Sequence, residues 1–475
     1  MMDIVAGDSA SRRATVHSRT RRLALAAAAS LAVASLIGGA SAGATAISGA
    51  RRGGRAPSVS EHGRAAFTKY AAAQAVQHPE HVPPTVRVGS GPTAAAFDAA
   101  THTLYVTNGN DDSVSVVNTM TCHGGHAQGC GHKVHSIALP SGSAAQWIAL
   151  DQATGTAYVA DTGGAGVSVI DTATCNAADS SGCGQTPALV ADPEGPFALD
   201  IDRATDTVYA ANYGAGFSGT GDTLSVINGA TCNSEDTAGC SQTPPTVAVG
   251  EGPDSVAVDQ ATNTVYVANA GDSSDNNGHT VSVVDGASCN ATDSSGCGQT
   301  PETIKVGDGP FGITMDQSTH TAYTANNSDS TISIIDTATC KADVTSGCGQ
   351  KTPAFREGSS PITIAIDKRL HSAYMTNIND DTVSVLNTAT CNATNRSSCR
   401  RVAPTIQVGL APVGLAVDPT DRTVYATNVD TDTVSVVNAA TCNAGATVGC
   451  RHEAPTVQTG RHRYGTDGIA VSRVG

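Results

Sequence analysis

The chain has 475 residues, with 42 acidic against 27 basic side chains and a net charge of −15. That balance lacks the basic face that a phosphate backbone demands, so nucleic acid is excluded as the expected partner. Aromatic residues make up only 4 % while glycine reaches 50, so the core is expected to consist of Val, Ile, Ala and Leu between many turns.

Residues 1–42 read as a secretory signal peptide. Arg12, Arg13, Arg19, Arg21 and Arg22 form a basic start, an apolar run spans Leu23 to Gly39, and Ala40, Ser41 and Ala42 supply a small-residue cleavage signal. Removing this segment takes away five Arg and two Asp and leaves the mature chain more acidic still. No later stretch is apolar for the ~18 residues a membrane span needs, so no span is expected in the mature chain. Residues 43–83 read as a flexible linker of Gly, Arg and Ser. A short helix is expected within it over Ala65 to Gln77, ended by the prolines that follow.

From residue 84 onward the chain repeats itself. Tyr105, Tyr158, Tyr209, Tyr266, Tyr323, Tyr374 and Tyr425 occupy equivalent places in "LYVTN", "AYVAD", "VYAAN", "VYVAN", "AYTAN", "AYMTN" and "VYATN". Each of these seven units divides into four short strands. In the fourth unit they are Asp254 to Asp259, Thr264 to Asn269, Thr280 to Asp285 and Pro301 to Gly307, each β-branched and bounded by Gly, Asn, Asp or Pro. Four-stranded units in such a series predict an all-β fold, a seven-bladed β-propeller of antiparallel blades over residues 84–475. One spare strand stands at each end: "PTVRVG" from Pro84, of the fourth type, and "TDGIAVSR" from Thr466, of the first type.

"YVTN", "TVSVVD" and "VGxGP" resemble the YVTN β-propeller repeat of secreted and surface proteins of bacteria and archaea. The resemblance implies the propeller fold and a secreted or cell-surface location. Related seven-bladed propellers include surface-layer proteins, lactonases and a streptogramin lyase, and lactonase-type propellers hold a divalent metal with acidic and Asn ligands at the axis. A propeller hosts many activities, so the resemblance carries fold further than function.

All fourteen cysteines fall into pairs eight residues apart, each in a polar loop between the third and fourth strands: Cys122 with Cys130, Cys175 with Cys183, Cys232 with Cys240, Cys289 with Cys297, Cys340 with Cys348, Cys391 with Cys399, and Cys442 with Cys450. A signal peptide leads to an oxidising compartment, so seven local disulfides are expected, each a clip on a loop with little packing of its own. Zinc ligation would call for closer spacing, as in C-x₂₋₄-C.

The Asp that closes the first strand of every unit (Asp98, Asp151, Asp202, Asp259, Asp316, Asp367, Asp418) reads as a turn former. Function is sought where one unit breaks the pattern. Trp147, the single Trp, stands where the other units carry small residues, and Asp200 stands where they carry Ala or Thr. A ligand site is expected at the inner edge of units two and three from Trp147 and Asp200, roofed by the loop from Asn212 through Tyr213 to Asp222. An aromatic face with a carboxylate suits a sugar or a cationic group. His123, His126, His132 and His135 form a His-rich tract of the kind that binds Zn, Ni or Cu, set against the plain reading of solvated loop histidines. The expected function is a binding or interaction scaffold for a surface ligand, glycan or protein, without a cofactor and more readily a binder than an enzyme. The alternatives are a lactonase-like or lyase-like enzyme at the channel mouth and a structural surface-layer component.

Overall fold

The computed structural model describes residues 83–164, 166–271 and 278–450. They form seven four-stranded antiparallel sheets. Six blades run in simple sequence order, from blade one (92–138) to blade six (361–407). In blade seven, β26 (Pro412–Asp418), β27 (Thr423–Asn428) and β28 (Thr433–Asn438) are completed on the outside by β1 (Thr85–Arg87). Thr85, Val86 and Arg87 face Ser435, Val434 and Thr433. The N-terminal spare strand therefore closes the ring. The other one, from Thr466, lies outside the described residues, as do the expected signal peptide and nearly all of the linker.

The burial of each strand explains its composition. Second strands such as Thr264–Asn269 are buried at every position, third strands are buried except at their ends, and fourth strands alternate, as outer edges do. First strands abut the first strands of both neighbouring blades and wall the central channel. The apolar cores lie between blades, not at the centre. Val169 and Val190 of blade two, for instance, cluster with Leu199 and Val208 of blade three.

Three polar repeats hold this frame. Each strand-closing Asp accepts a main-chain N–H two residues on, as Asp98 does from Ala100 (2.9 Å) and Asp418 from Thr420 (2.8 Å), which is the turn chemistry expected of it. The buried Asn that ends the second strand in six blades donates to two hydroxyls of the third strand, as Asn428 does to Thr433 (3.1 Å) and Ser435 (3.0 Å). The third repeat joins the blades. Every repeat Tyr hydroxyl donates to the carbonyl of the first cysteine in the next blade, from Tyr105 to Cys175 (2.8 Å) through to Tyr425 and Cys122 (2.9 Å).

All seven expected disulfides are formed and no cysteine is free. Their loops share one face of the disc with the turns after the first strands; the "VGxGP" turns and the loops after the second strands share the other. Among the described residues no helix is long and apolar enough to cross a membrane.

Candidate functional site

Trp147 lies toward the "VGxGP" end of its first strand, whereas Asp200 lies toward the other end, two residues before the closing Asp202. The "VGxGP" turns need a left-handed residue just before the first strand, which opens on proline in six blades and on Ala145 in blade two. Gly91, Gly195, Gly252 and Gly309 adopt φ of +60° to +75° there, and Ala144, Ser360 and Ala411 take the same conformation at +45° to +54°. The rigid turns set the start of each first strand, and a register shift follows the proline, as between Pro196 and Ala198.

Trp147, on β6 (Ala145–Asp151), is half-buried in the channel wall. Its ring packs against three successive inter-blade cores, including Ile148 and Val159, Leu199 and Ile201, and Ala198 and Val256. It thus packs beside the junctions of its blade while keeping part of its surface open.

Asp200, on β10 (Pro196–Asp202), is engaged by the main chain. Its Oδ1 accepts the N–H of Ile201 and its Oδ2 accepts the N–H of Val258 on β14 (Pro253–Asp259), both at 2.8 Å. Burial raises its carboxyl above the usual range while the two amides pull it back. The carboxylate staples blade three to blade four.

The loop after β11 (Thr207–Asn212) is built on aromatic packing. Tyr213 is buried against Phe197, with ring centroids 5.4 Å apart, and Phe217 meets Phe197 edge-on at 6.4 Å. Phe217 holds φ of +62°, and Gly216 donates across to the Thr162 carbonyl of blade two at 3.3 Å. The loop therefore leans toward the blade that carries Trp147. Asn212 and Asp222 occupy ordinary repeat positions. Asn212 Nδ2 donates to Thr223 and Ser225, and the Asp222 carbonyl accepts Val249 N–H as the Asp112 carbonyl accepts that of Leu139.

The His tract lies on the opposite face. His123 and His126 pair through their backbones with rings 5.9 Å apart, and both are in the disulfide loop of blade one. His132 follows that loop and His135 begins β5 (His135–Ala138). Among the described residues no three His, Cys, Asp or Glu converge as metal ligands.

Several carboxyls escaped sequence reasoning. Asp254 begins a first strand where other blades place Thr93, Gln146, Phe197, Phe311, Ile362 and Val413. It is 1 % exposed, and neither carboxyl oxygen has a hydrogen-bond partner among the described residues. Burial pushes its pKa well above the usual carboxyl range. Asp161 replaces the repeat Asn, accepts the Ser168 hydroxyl, and is pushed up to about 7 by burial. Asp192 and Glu357 stand where other blades carry Val or Leu. Burial raises both, Glu357 to about 7. Setting the seven units column by column reveals each of them, because each is an acid in a column that is otherwise neutral apart from the pairing of Asp192 with Glu357.

Residues 131–445 match the model of a family described as lactonase, 7-bladed beta-propeller. No curated protein matches the chain. Among solved structures it is similar to one titled Kuenenia stuttgartiensis hydrazine synthase, at 16 % identity and a TM-score of 0.56, covering 76 % of this chain and 98 % of that one. At that identity the likeness is one of fold alone.

Proposed function

The chain belongs to the lactonase family of seven-bladed β-propellers, and from that premise we propose that it is a secreted or surface-associated binding scaffold rather than a hydrolase. The ligand meets the "VGxGP" face at blades two and three. Trp147 supplies the contact surface, the loop from Asn212 to Asp222 forms the rim, and Asp200 positions the wall.

The observation that carries this reading is the engagement of Asp200. A hydrolase needs a base or an electrophile aimed at a common reacting point. Before their closing Asp, the seven inner strands are composed mostly of small and apolar residues with a few hydroxyls, one Gln and two acids, Asp200 and Asp254. Each Asp200 oxygen accepts a main-chain amide, and Asp254 is buried, with its pKa raised by that burial. Such a wall offers surface and shape. Seven disulfides support a location outside the reducing cytoplasm.

Trp147 is the single Trp, so its fluorescence reports this site alone. Titration with cello-oligosaccharides and with chitosan oligomers is expected to shift its emission saturably. Trp147→Ala is expected to abolish binding, measured by calorimetry, with the melting temperature within a few degrees of the parent. Emission indifferent to every probe, with a large loss of stability in Trp147→Ala, would make the ring core filler. Family membership favours lactone hydrolysis as a second reading. Turnover above buffer on a broad lactone panel, with and without Ca²⁺, Mn²⁺ or Zn²⁺, would establish it and displace the first.

A further inference from the structure

Blade five departs from blades two, three and four on the disulfide face. In blades two, three and four the residue after the first cysteine is Asn176, Asn233 or Asn290, whose Nδ2 donates to the carbonyl four residues back at 2.8–3.0 Å. Two residues after the second cysteine comes Gln185, Gln242 or Gln299. Its Oε1 accepts the N–H of the last residue of the third strand (Asp171, Asn228 or Asp285) at 2.8 Å, and its Nε2 donates to the carbonyl of that same residue. These two side chains close the loop onto the sheet.

Blade five keeps neither arrangement. Lys341 replaces the Asn and pairs with Asp343. Gln350 is present, but Thr352 stands where the other three blades have Pro187, Pro244 and Pro301, and the proline comes one residue later. Gln350 does not clamp Asp336. A cleft of about 220 Å³ opens in this region, floored by Ile304, Ile334 and Ile335 and rimmed by Gln350, Lys351 and Arg396, the last reaching in from the disulfide loop of blade six.

We propose that this cleft binds a compact ligand bearing a carboxylate or phosphate group. Lys351 and Arg396 are exposed, and among the described residues neither forms an ion pair. Arg396 is anchored by one bond, from Nη2 to the Ala393 carbonyl at 3.2 Å, which leaves the rest of its planar fork to meet an anion. The one carboxylate on the cleft, Asp336, already accepts the Ala338 N–H at 3.0 Å. Two cations therefore face one partly engaged anion. In a chain of net charge −15 the long-range field repels anions. Capture must then rest on this local pair and must weaken as salt screens it.

The test uses 4-fluorobenzoate and its uncharged counterpart, 4-fluorobenzyl alcohol, followed by ¹⁹F NMR with the full-length protein. Saturable binding of the carboxylate is expected, at least tenfold tighter than the alcohol, displaced by inorganic phosphate and weakened by added NaCl. Lys351→Gln combined with Arg396→Gln is expected to lower affinity at least tenfold with the melting curve unchanged, since both side chains are at the surface. Equal binding of acid and alcohol, or full affinity in the double variant, would overturn the proposal.

Discussion

Tyr425 in the last blade donates its hydroxyl to the main-chain carbonyl of Cys122 in the first, at 2.9 Å and across 303 residues of sequence. Beside it, the N–H of Gly124 donates to Thr423 Oγ1 at 2.8 Å. The same two bonds recur at the blade junctions, as with Tyr105 and Cys175 together with Ala177 and Thr103. Each disulfide loop is thus a dock for the preceding blade as well as a clip on its own. Tyr425→Phe keeps the ring packing and orphans a buried carbonyl, so it is expected to cost about 1–2 kcal/mol in urea unfolding. Tyr209→Phe, at an internal junction, should cost a similar amount. A loss below the error of the measurement at both sites would remove the belt from the account of stability.

The disulfides should therefore matter in two ways. Closing a loop of about nine residues contributes roughly 2.5 kcal/mol on the chain-entropy model, and each loop also presents the Cys carbonyl that the Tyr needs. Non-reduced peptide mapping is expected to show seven links, all eight residues apart, with no free thiol. Replacing Cys175 and Cys183 by Ala should cost more than the loop term alone, and part of that excess should vanish when Tyr105 is already Phe. Simple additivity in that double-mutant cycle would show that loop and hydroxyl act independently.

The repeat Tyr, the strand-closing Asp and the paired Cys made the blades legible from sequence, because each is a local device copied seven times. The junction bonds were not legible: Tyr105 and Cys175 lie 70 residues apart, and no local pattern says which blade a hydroxyl meets. At the candidate site Trp147 and Asp200 stood out as departures from the repeat. The engagement of Asp200 depends on Val258 of another blade, and the support under the Asn212 loop depends on Phe197 meeting Tyr213 and Phe217. Long-range pairings of this kind appear only once the ring is closed.

Asp161 offers a test in pH. Its carboxyl is raised from the model-peptide value of 3.8 to about 7, first by burial and then, against the pull of Ser168, by Asp112. A raised acid keeps its proton in the folded state after the unfolded chain has lost it. Folding therefore loses stability as pH rises from about 4 to about 7 and stays at that lower level above. Asp161→Asn restores the residue found in the other six blades and removes a charge that must be buried. It is expected to stabilise the protein by on the order of 2 kcal/mol at pH 8, to change little at pH 4, and to flatten the profile between. Equal effects at both pH values would mean that Asp161 does not titrate in this window.

Ring closure by the N-terminal strand can be tested by truncation. Val86 is 1 % exposed and packs with Leu104, Tyr425 and Val434 where blades one and seven meet. Starting the chain at residue 83 keeps β1, whereas starting it at residue 89 removes Val86 and strips the outer edge of β28. A bare edge is a template for pairing with other chains. The first truncation is expected to melt close to the full-length protein and the second to melt lower and self-associate on size exclusion. Val86→Ala, which keeps the strand and loses the buried side chain, should fall between them at about 1–2 kcal/mol. Removing residues 451–475 is the complementary cut. If it lowered the melting temperature as the loss of β1 is expected to, while starting at residue 89 did not, the strand from Thr466 would be the one that closes the ring.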